Sequence, residues 1–274
     1  MSTTAPGEPG SRGAPRRRRR WRCCSLALGA LLLLLLGLAA AIHRARPAGV
    51  EGPEAEALAR RMVEAVDGEA WRRTGAVRWT FAGSNRHLWD RRRGLARVRW
   101  GQVEVLLRAG APAGRAWRGG QRVRGAEEGA LLRAAHGAWI NDSFWLDPVT
   151  KAFDPGTTRA IVSGAPTAGA TRGEQSLLIS YASGGNTPGD AYLWELDPAT
   201  GRPVAWRMWV SILPLGGVRA TWAGWTRLGT GAWVATEHQV LGLLPLAITD
   251  VAGAETLAQL EPGPDPFAPL LAPE

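Results

Sequence analysis

The constraint that most limits this fold is a period of two that the chain keeps returning to. Val77, Trp79 and Phe81 share one side of an extended segment, with Arg78 and Thr80 on the other. Runs at Leu95 to Trp100 and Val103 to Leu107 follow after short breaks, which predicts an antiparallel meander. Leu177, Ile179 and Tyr181 alternate in the same way. Gly184 to Asp190 then turns the chain into Tyr192, Trp194 and Leu196. Asp197-Pro198-Ala199-Thr200-Gly201 predicts a hairpin returning through Val204, Trp206, Met208 and Val210. Val218 to Trp225, Ala232 to Val240 and Leu246 to Val251 supply three more strands. Turn signals every eight to twelve residues belong to a large antiparallel sheet or barrel.

Helical material interrupts this rhythm twice. Glu54 to Val66 reads as an amphipathic helix, with Leu58, Met62 and Ala65 or Val66 on one face and Asp67-Gly68 at its end. Ala126 to Ala138 reads as a second helix, with Glu127 and Glu128 at its positive end and Leu131, Leu132, Ala135 and Trp139 on one face. Trp139 to Gly156, WINDSFWLDPVTKAFDPG, then reads as a helix end running into a loop. Asp147 before Pro148 and Asp154 before Pro155 hold the chain extended, so the loop is expected to lie across the domain as a strap. Its Trp139, Phe144 and Trp145 are apolar anchors, and Asn141 and Asp142 are expected to bind backbone groups. The segment acts either as the lid of a ligand-binding face or as a plug in the core.

Charge and hydropathy locate the chain. Met1 to Arg22 carries seven Arg against one Glu, which leaves only +3 of the net +9 for the rest. The folded part lacks a basic face for nucleic acid. Residues 1–22 read as a disordered, basic cytoplasmic tail. Cys23 to Ile42 is twenty residues without a charge, long enough as a helix to cross a hydrocarbon core of about 30 Å. The Arg cluster before it places the N-terminus in the cytoplasm and the main domain outside. Ala39-Ala40-Ala41 offers a signal-peptidase site, but the run is longer than a usual cleavable signal, so an uncleaved anchor is expected ahead of cleavage after Ala41, followed by a linker over 43–53. The protein is read as a single-pass protein of the inner membrane. Cys23 and Cys24 are its only cysteines, so the outer domain has no disulfide. Residues 261–274 contain five Pro and read as a disordered tail.

Chemistry is sparse. No GxSxG, GxGxxG, P-loop or HExxH occurs, and His43, His87, His136 and His238 show no metal-ligand spacing. No catalytic residue, metal or cofactor is assigned. A carboxylate pair such as Asp142 with Asp154 serves acid and base work only if the loop brings them together near His136 or His238. His238, alternating with Val234, Thr236 and Val240, reads as a hydrogen-bonded core residue. Lys151 is the single Lys beside 32 Arg. Fourteen Trp against four Phe and two Tyr supply large amphipathic rings for a core or an apolar ligand.

The order of export segment, amphipathic helix, long meander and inserted helix, with phrases such as Val77-Arg78-Trp79-Thr80-Phe81, resembles the LolA/LolB-like group of envelope proteins. The resemblance covers Glu54 to Val251, and WINDSFWLDP is similar to a segment of uncharacterised bacterial envelope proteins. It implies an α+β fold, residues 54–260, in which a large curved antiparallel sheet forms an incomplete barrel whose concave face is covered by helices. It also implies a lipid or acylated, lipoprotein-like ligand, held here by Trp79, Phe81, Trp139, Asn141, Asp142, Phe144, Trp145, Trp194 and Trp206. Soluble carriers of that group lose their signal, whereas this chain is expected to keep its anchor. An envelope scaffold that binds another protein, or a hydrolase using the Asn141 to Asp154 loop, are the other readings.

Overall fold

The computed structural model describes residues 39–164, 175–183 and 187–272, with Ser2, Leu33 and Gly37 besides. It divides into two units, Met1–His43 and Arg44–Glu274. In the first, residues 39–42 are helical. No helix of the described residues is long and apolar enough to cross a membrane. The expected transmembrane helix over 23–42 and the basic tail over 1–22 lie almost wholly outside those residues.

The second unit is built on one antiparallel sheet of fourteen strands. Its first half is a meander of β2 (Ala76–Phe81), β3 (Asn85–Asp90), β4 (Leu95–Trp100), β5 (Val103–Arg108), β6 (Gly114–Arg118) and β7 (Gln121–Val123). Its second half runs through β8 (Thr157–Ser163), β9 (Gln175–Tyr181), β10 (Ala191–Leu196), β11 (Pro203–Trp209), β12 (Val218–Thr221), β15 (Glu237–Val240) and β16 (Leu244–Ala254). β16 returns to pair with β2, Ile248 opposite Phe81 and Ala254 opposite Ala76, which joins the halves. The open edges are β7 and the two-residue β1 (Val50–Glu51), which pairs with β8. β13 (Thr226–Arg227) and β14 (Trp233–Val234) form a separate ribbon.

The helix α1 (Pro53–Ala65) buries Ala55, Ala59 and Met62, a stripe that shares Met62 with the expected face but leaves Leu58 half-buried at its edge. Asp67, at φ 54°, then caps the short α2 (Gly68–Arg73) by accepting from the Ala70 N–H at 2.9 Å. The longest helix, α3 (Gly125–Leu146), has 22 residues, about 33 Å of helix. Its length corrects the expectation of a loop from Trp139 onward. Asn, Asp and Ser favour turns because their side chains compete for nearby backbone groups. Here Asp142 is engaged by other side chains, and the Ser143 hydroxyl donates back to the Ile140 carbonyl at 3.2 Å, so the helix continues. It stops at Asp147, before Pro148.

The sheet curls around α3. Leu131, Leu132 and Ala135 pack on β4, β5 and β6, whereas Phe144 meets Tyr192 of β10. Twelve residues of helix separate Leu132 from Phe144, about 18 Å. β5 and β10 lie eight strand spacings apart in the sheet order, about 38 Å if the sheet were flat. Only a curved sheet satisfies both distances. The face toward the helices is therefore concave and the opposite face convex.

Two further expectations change. The linker over 43–53 is laid along the domain: the Arg44 N–H donates to the Gly216 carbonyl at 2.9 Å, and β1 extends the sheet. The segment over 261–272, expected to be disordered for its prolines, docks instead on the sheet. It contains a short helix α5 (Ala268–Leu271), just after α4 (Leu257–Leu260). Phe267 is fully buried with Leu88, Leu95 and Leu106, and Arg93 makes a two-pronged contact with Asp265 at 2.6 and 2.9 Å.

Candidate functional site

The concave face of the second half is an aromatic layer. Trp194 of β10 stands directly opposite Trp206 of β11, and the small Ala220 of β12 stands opposite Trp206, leaving room for Trp222 beyond it. Ring centres are 4.9 Å apart for Trp194 and Trp206, 4.8 Å for Trp206 and Trp222, and 4.6 Å for Tyr192 and Trp206. These are the tilted and edge-on arrangements that aromatic quadrupoles favour. From α3, Trp145 meets Trp206 at 4.9 Å and lies parallel to Trp222 at 6.1 Å, while Phe144 meets Tyr181, Tyr192 and Trp206. Neighbouring helix positions point about 100° apart, so both reach the sheet only because it wraps the helix end.

A polar clamp fixes the same helix on the first half of the sheet. Asp142 Oδ2 accepts from Asn85 Nδ2 at 2.9 Å and from His87 Nε2–H at 2.7 Å, and its Oδ1 accepts from Asn141 at 2.9 Å. His87 sits opposite Trp79 in the β2–β3 pairing and stacks on it at 4.6 Å. Both Asp142 and His87 are buried, so in this low-dielectric setting the pair holds α3 in register.

His238 closes the layer from β15. Its Nδ1–H donates to the Thr221 carbonyl at 2.9 Å, which leaves the Nε2 lone pair against Trp145 and Trp222. Burial lowers its pKa to about 4, so it is neutral near pH 7. At the end of α3 the buried Asp147 accepts from the Thr150 hydroxyl and N–H, and burial raises its pKa. The Arg91 guanidinium, in the field of Asp147, lies over the Trp71 ring at 4.5 Å and donates to the Thr74 carbonyl at 2.6 Å. Burial lowers its pKa in turn.

One feature unites the layer. Among the described residues, the indole N–H groups of Trp79, Trp194, Trp206 and Trp222 and the Tyr181 hydroxyl are buried with no hydrogen-bond partner, as is the indole N–H of Trp139 farther along α3. Buried polar groups are ordinarily paired, so such a concentration on one face calls for an explanation.

The site residues read from the sequence separate accordingly. Trp79, Phe81, Phe144, Trp145, Trp194 and Trp206 converge on the concave face. Trp139, half-buried, packs edge-on to Trp89 at 5.4 Å and links that core to the smaller one under the first half of α3. Asn141 is exposed and donates to the Asp142 side chain, and the bonds Asp142 accepts come from side chains, not backbone. Asp154 pairs with Lys151 at 3.7 Å on the surface, so the structure gives Asp142 and Asp154 separate partners. The residues missed by sequence reasoning are Asn85, His87, Trp89, Tyr181, Tyr192 and Trp222. Asn85, His87 and Trp89 alternate on one face of β3, and that alternation was the available signal.

No family model matches this chain, and no curated protein matches it. Similar solved structures include a DUF1329 family protein from Desulfovibrio piger, at 11% identity over 76% of this chain and 97% of that one, with a TM-score of 0.41. A LolA superfamily protein from Nitrosomonas europaea is similar at 11% identity over 75% of this chain and 96% of that one, with a TM-score of 0.36. A domain named for outer-membrane lipoprotein sorting, from Vibrio parahaemolyticus, is similar at 10% identity over 76% of this chain and 95% of that one, also with a TM-score of 0.36. The structural neighbours thus include the superfamily that the sequence resembles, and the functional reading rests on this chain's own geometry.

Proposed function

We propose that this chain is an anchored, extracytoplasmic binding protein for a lipid or acylated ligand, taken up between the C-terminal half of α3 and the aromatic layer. The unpaired buried indole N–H groups are the observation that carries this reading. Phe would fill the same space without the penalty of about 1–3 kcal/mol that each unsatisfied donor incurs. Ester and carbonyl oxygens of an acylated ligand supply the acceptors the protein lacks, and its chains replace the ring contacts that α3 makes in the closed state. Entry requires α3 to lift from the sheet, with the Asp142 clamp as its hinge side. The residues over 23–42 supply the anchor, which places the domain at an inner-membrane surface within the envelope. The His87–Asp142 pair serves to position the helix, since the ring is sealed between Trp79 and α3.

The test is mass spectrometry of lipids retained by the full chain in mild detergent, beside the triple variant Trp194→Phe, Trp206→Phe, Trp222→Phe. The wild type is expected to retain acyl lipid in near-stoichiometric amount, and the folded variant to retain several-fold less. A wild type carrying no more lipid than an unrelated single-span protein purified in parallel defeats the reading.

A further inference from the structure

The domain has two ends, and among the described residues one of them carries unburied apolar side chains in a group. The β11–β12 and β15–β16 turns lie side by side, because β12 pairs with both β11 and β15, Met208 opposite Val218 and Ala220 opposite Val240, and the Leu241 N–H donates to the Arg219 carbonyl at 2.9 Å. On these adjacent tips Ile212 is 70% exposed, Leu243 82% and Leu244 61%, with Leu213 and Leu241 partly exposed beside them. Half of the exposed large apolar side chains among the described residues are therefore on two turns. Scattered single residues of this kind need no explanation, but a clustered set does.

Three observations identify what covers them. Residues 210–218 and 239–249 contain no Asp or Glu, and the acid that touches them, Asp190, is buried behind the β11–β12 tip, where it accepts from the Ser211 N–H at 3.1 Å. Arg44 and Arg46 lie beside the same end: the Trp209 indole donates to the Arg44 carbonyl at 2.8 Å, and Arg46 bonds the Ser180 hydroxyl near the end of β9. The chain also enters the domain there. Only His43 separates Arg44 from Ile42, the last residue of the twenty-residue charge-free run, and two extended residues reach about 7 Å. A membrane entered by that run is within reach of the tips, and short hydrophobic protrusions flanked by Arg suit the headgroup and acyl boundary.

We infer that the paired tips around Ile212 and Leu243 insert into the membrane that the chain's own apolar segment enters, holding the domain end-on to the bilayer. The inference rests on the anchored placement proposed above and not on the ligand. The domain stands with its β11–β12 end on the lipid and its Asp197 to Gly201 turn farthest from it.

The test uses the full chain with Cys23→Ser and Cys24→Ser and one new cysteine, at Leu243→Cys, Ile212→Cys or, as the control at the opposite end, Thr200→Cys. Each is labelled with an environment-sensitive nitrobenzoxadiazole dye and reconstituted into phosphatidylethanolamine–phosphatidylglycerol vesicles. The dye at 243 and 212 is expected to emit at shorter wavelength and to be quenched by spin-labelled lipid several-fold more than at 200. Equal, aqueous emission at all three positions overturns the inference. So does a short-wavelength emission at 243 that persists in detergent and ignores the lipid quencher, which assigns the tips to a second copy or another protein, or a chain that fails to float with the vesicles. Retained ligand plays no part in these signals, so loss of the lipid-binding reading leaves this result standing, and the reverse.

Discussion

Asp142 accepts from the buried His87 ring and from the half-buried Asn85 amide, so two donors depend on it. Asp142→Ala strands His87 Nε2 in the core and leaves the half-buried Asn85 Nδ2 to solvent, so a loss of about 1–3 kcal/mol follows from the one fully buried donor. Asp142→Asn keeps the shape and one acceptor, and its midpoint in urea should fall between wild type and Ala. Trp145→Ala removes a buried ring from the centre of the layer and should cost about 3–5 kcal/mol by the same measurement. His238 gives a pH signature. Its folded pKa of about 4 is below the ordinary 6.5, so on acidification the unfolded chain takes up a proton first. Stability is full above about pH 6.5 and declines toward pH 4, by up to about 3 kcal/mol. Asp147 acts in the opposite sense, because its raised pKa stabilises the fold as pH falls. The difference between wild type and His238→Phe, followed by denaturation across that range, isolates the histidine; a pH-independent difference refutes its assigned role.

At the scale of elements, strands were legible wherever one face is plainly apolar. β4 matches the expected run from Leu95 to Trp100, and the Asp197 turn joins β10 to β11 as its Asp-Pro and Thr-Gly chemistry predicts. β3 alternates Asn85, His87 and Trp89, but its inward face is polar at two of three positions, and β6 carries Arg115 and Arg118, so neither shows the apolar stripe that marks the other strands. The sequence predicts too short an α3 because the fate of Asp142 depends on β3, which lies more than fifty residues away. The Pro-rich end misled for a related reason. Composition argues for disorder, yet one ring, Phe267, finds a complete pocket, and Arg115 donates to the Pro269 and Ala272 carbonyls. Truncation after Leu260 should therefore behave like a core lesion, with a loss of about 3–5 kcal/mol and Phe267→Ala accounting for most of it. The half-exposed Arg93–Asp265 pair should contribute no more than about 1 kcal/mol, which Asp265→Ala can verify.

For the molecule as a whole, the seam between β16 and β2 sets a timetable. Each half of the sheet is a run of neighbouring hairpins that can form from local contacts, but Ala76 waits for Ala254 and Phe81 for Ile248. Contacts so distant in sequence form slowly, since loop closure is costly before they reward it. At Gly75 the closure is tight as well: a Cβ there would meet the Glu255 carbonyl oxygen at 2.0 Å, so Gly75→Ala should slow closure and destabilise the seam by about 1–3 kcal/mol. A chain emerging in order from its N-terminus holds β2 and its row of unpaired N–H and C=O groups open until nearly the last strand arrives. During that interval the nascent sheet is a template for any extended segment nearby, including another copy of itself, so the burden of protecting it falls on whatever escorts the chain until residue 254 is free.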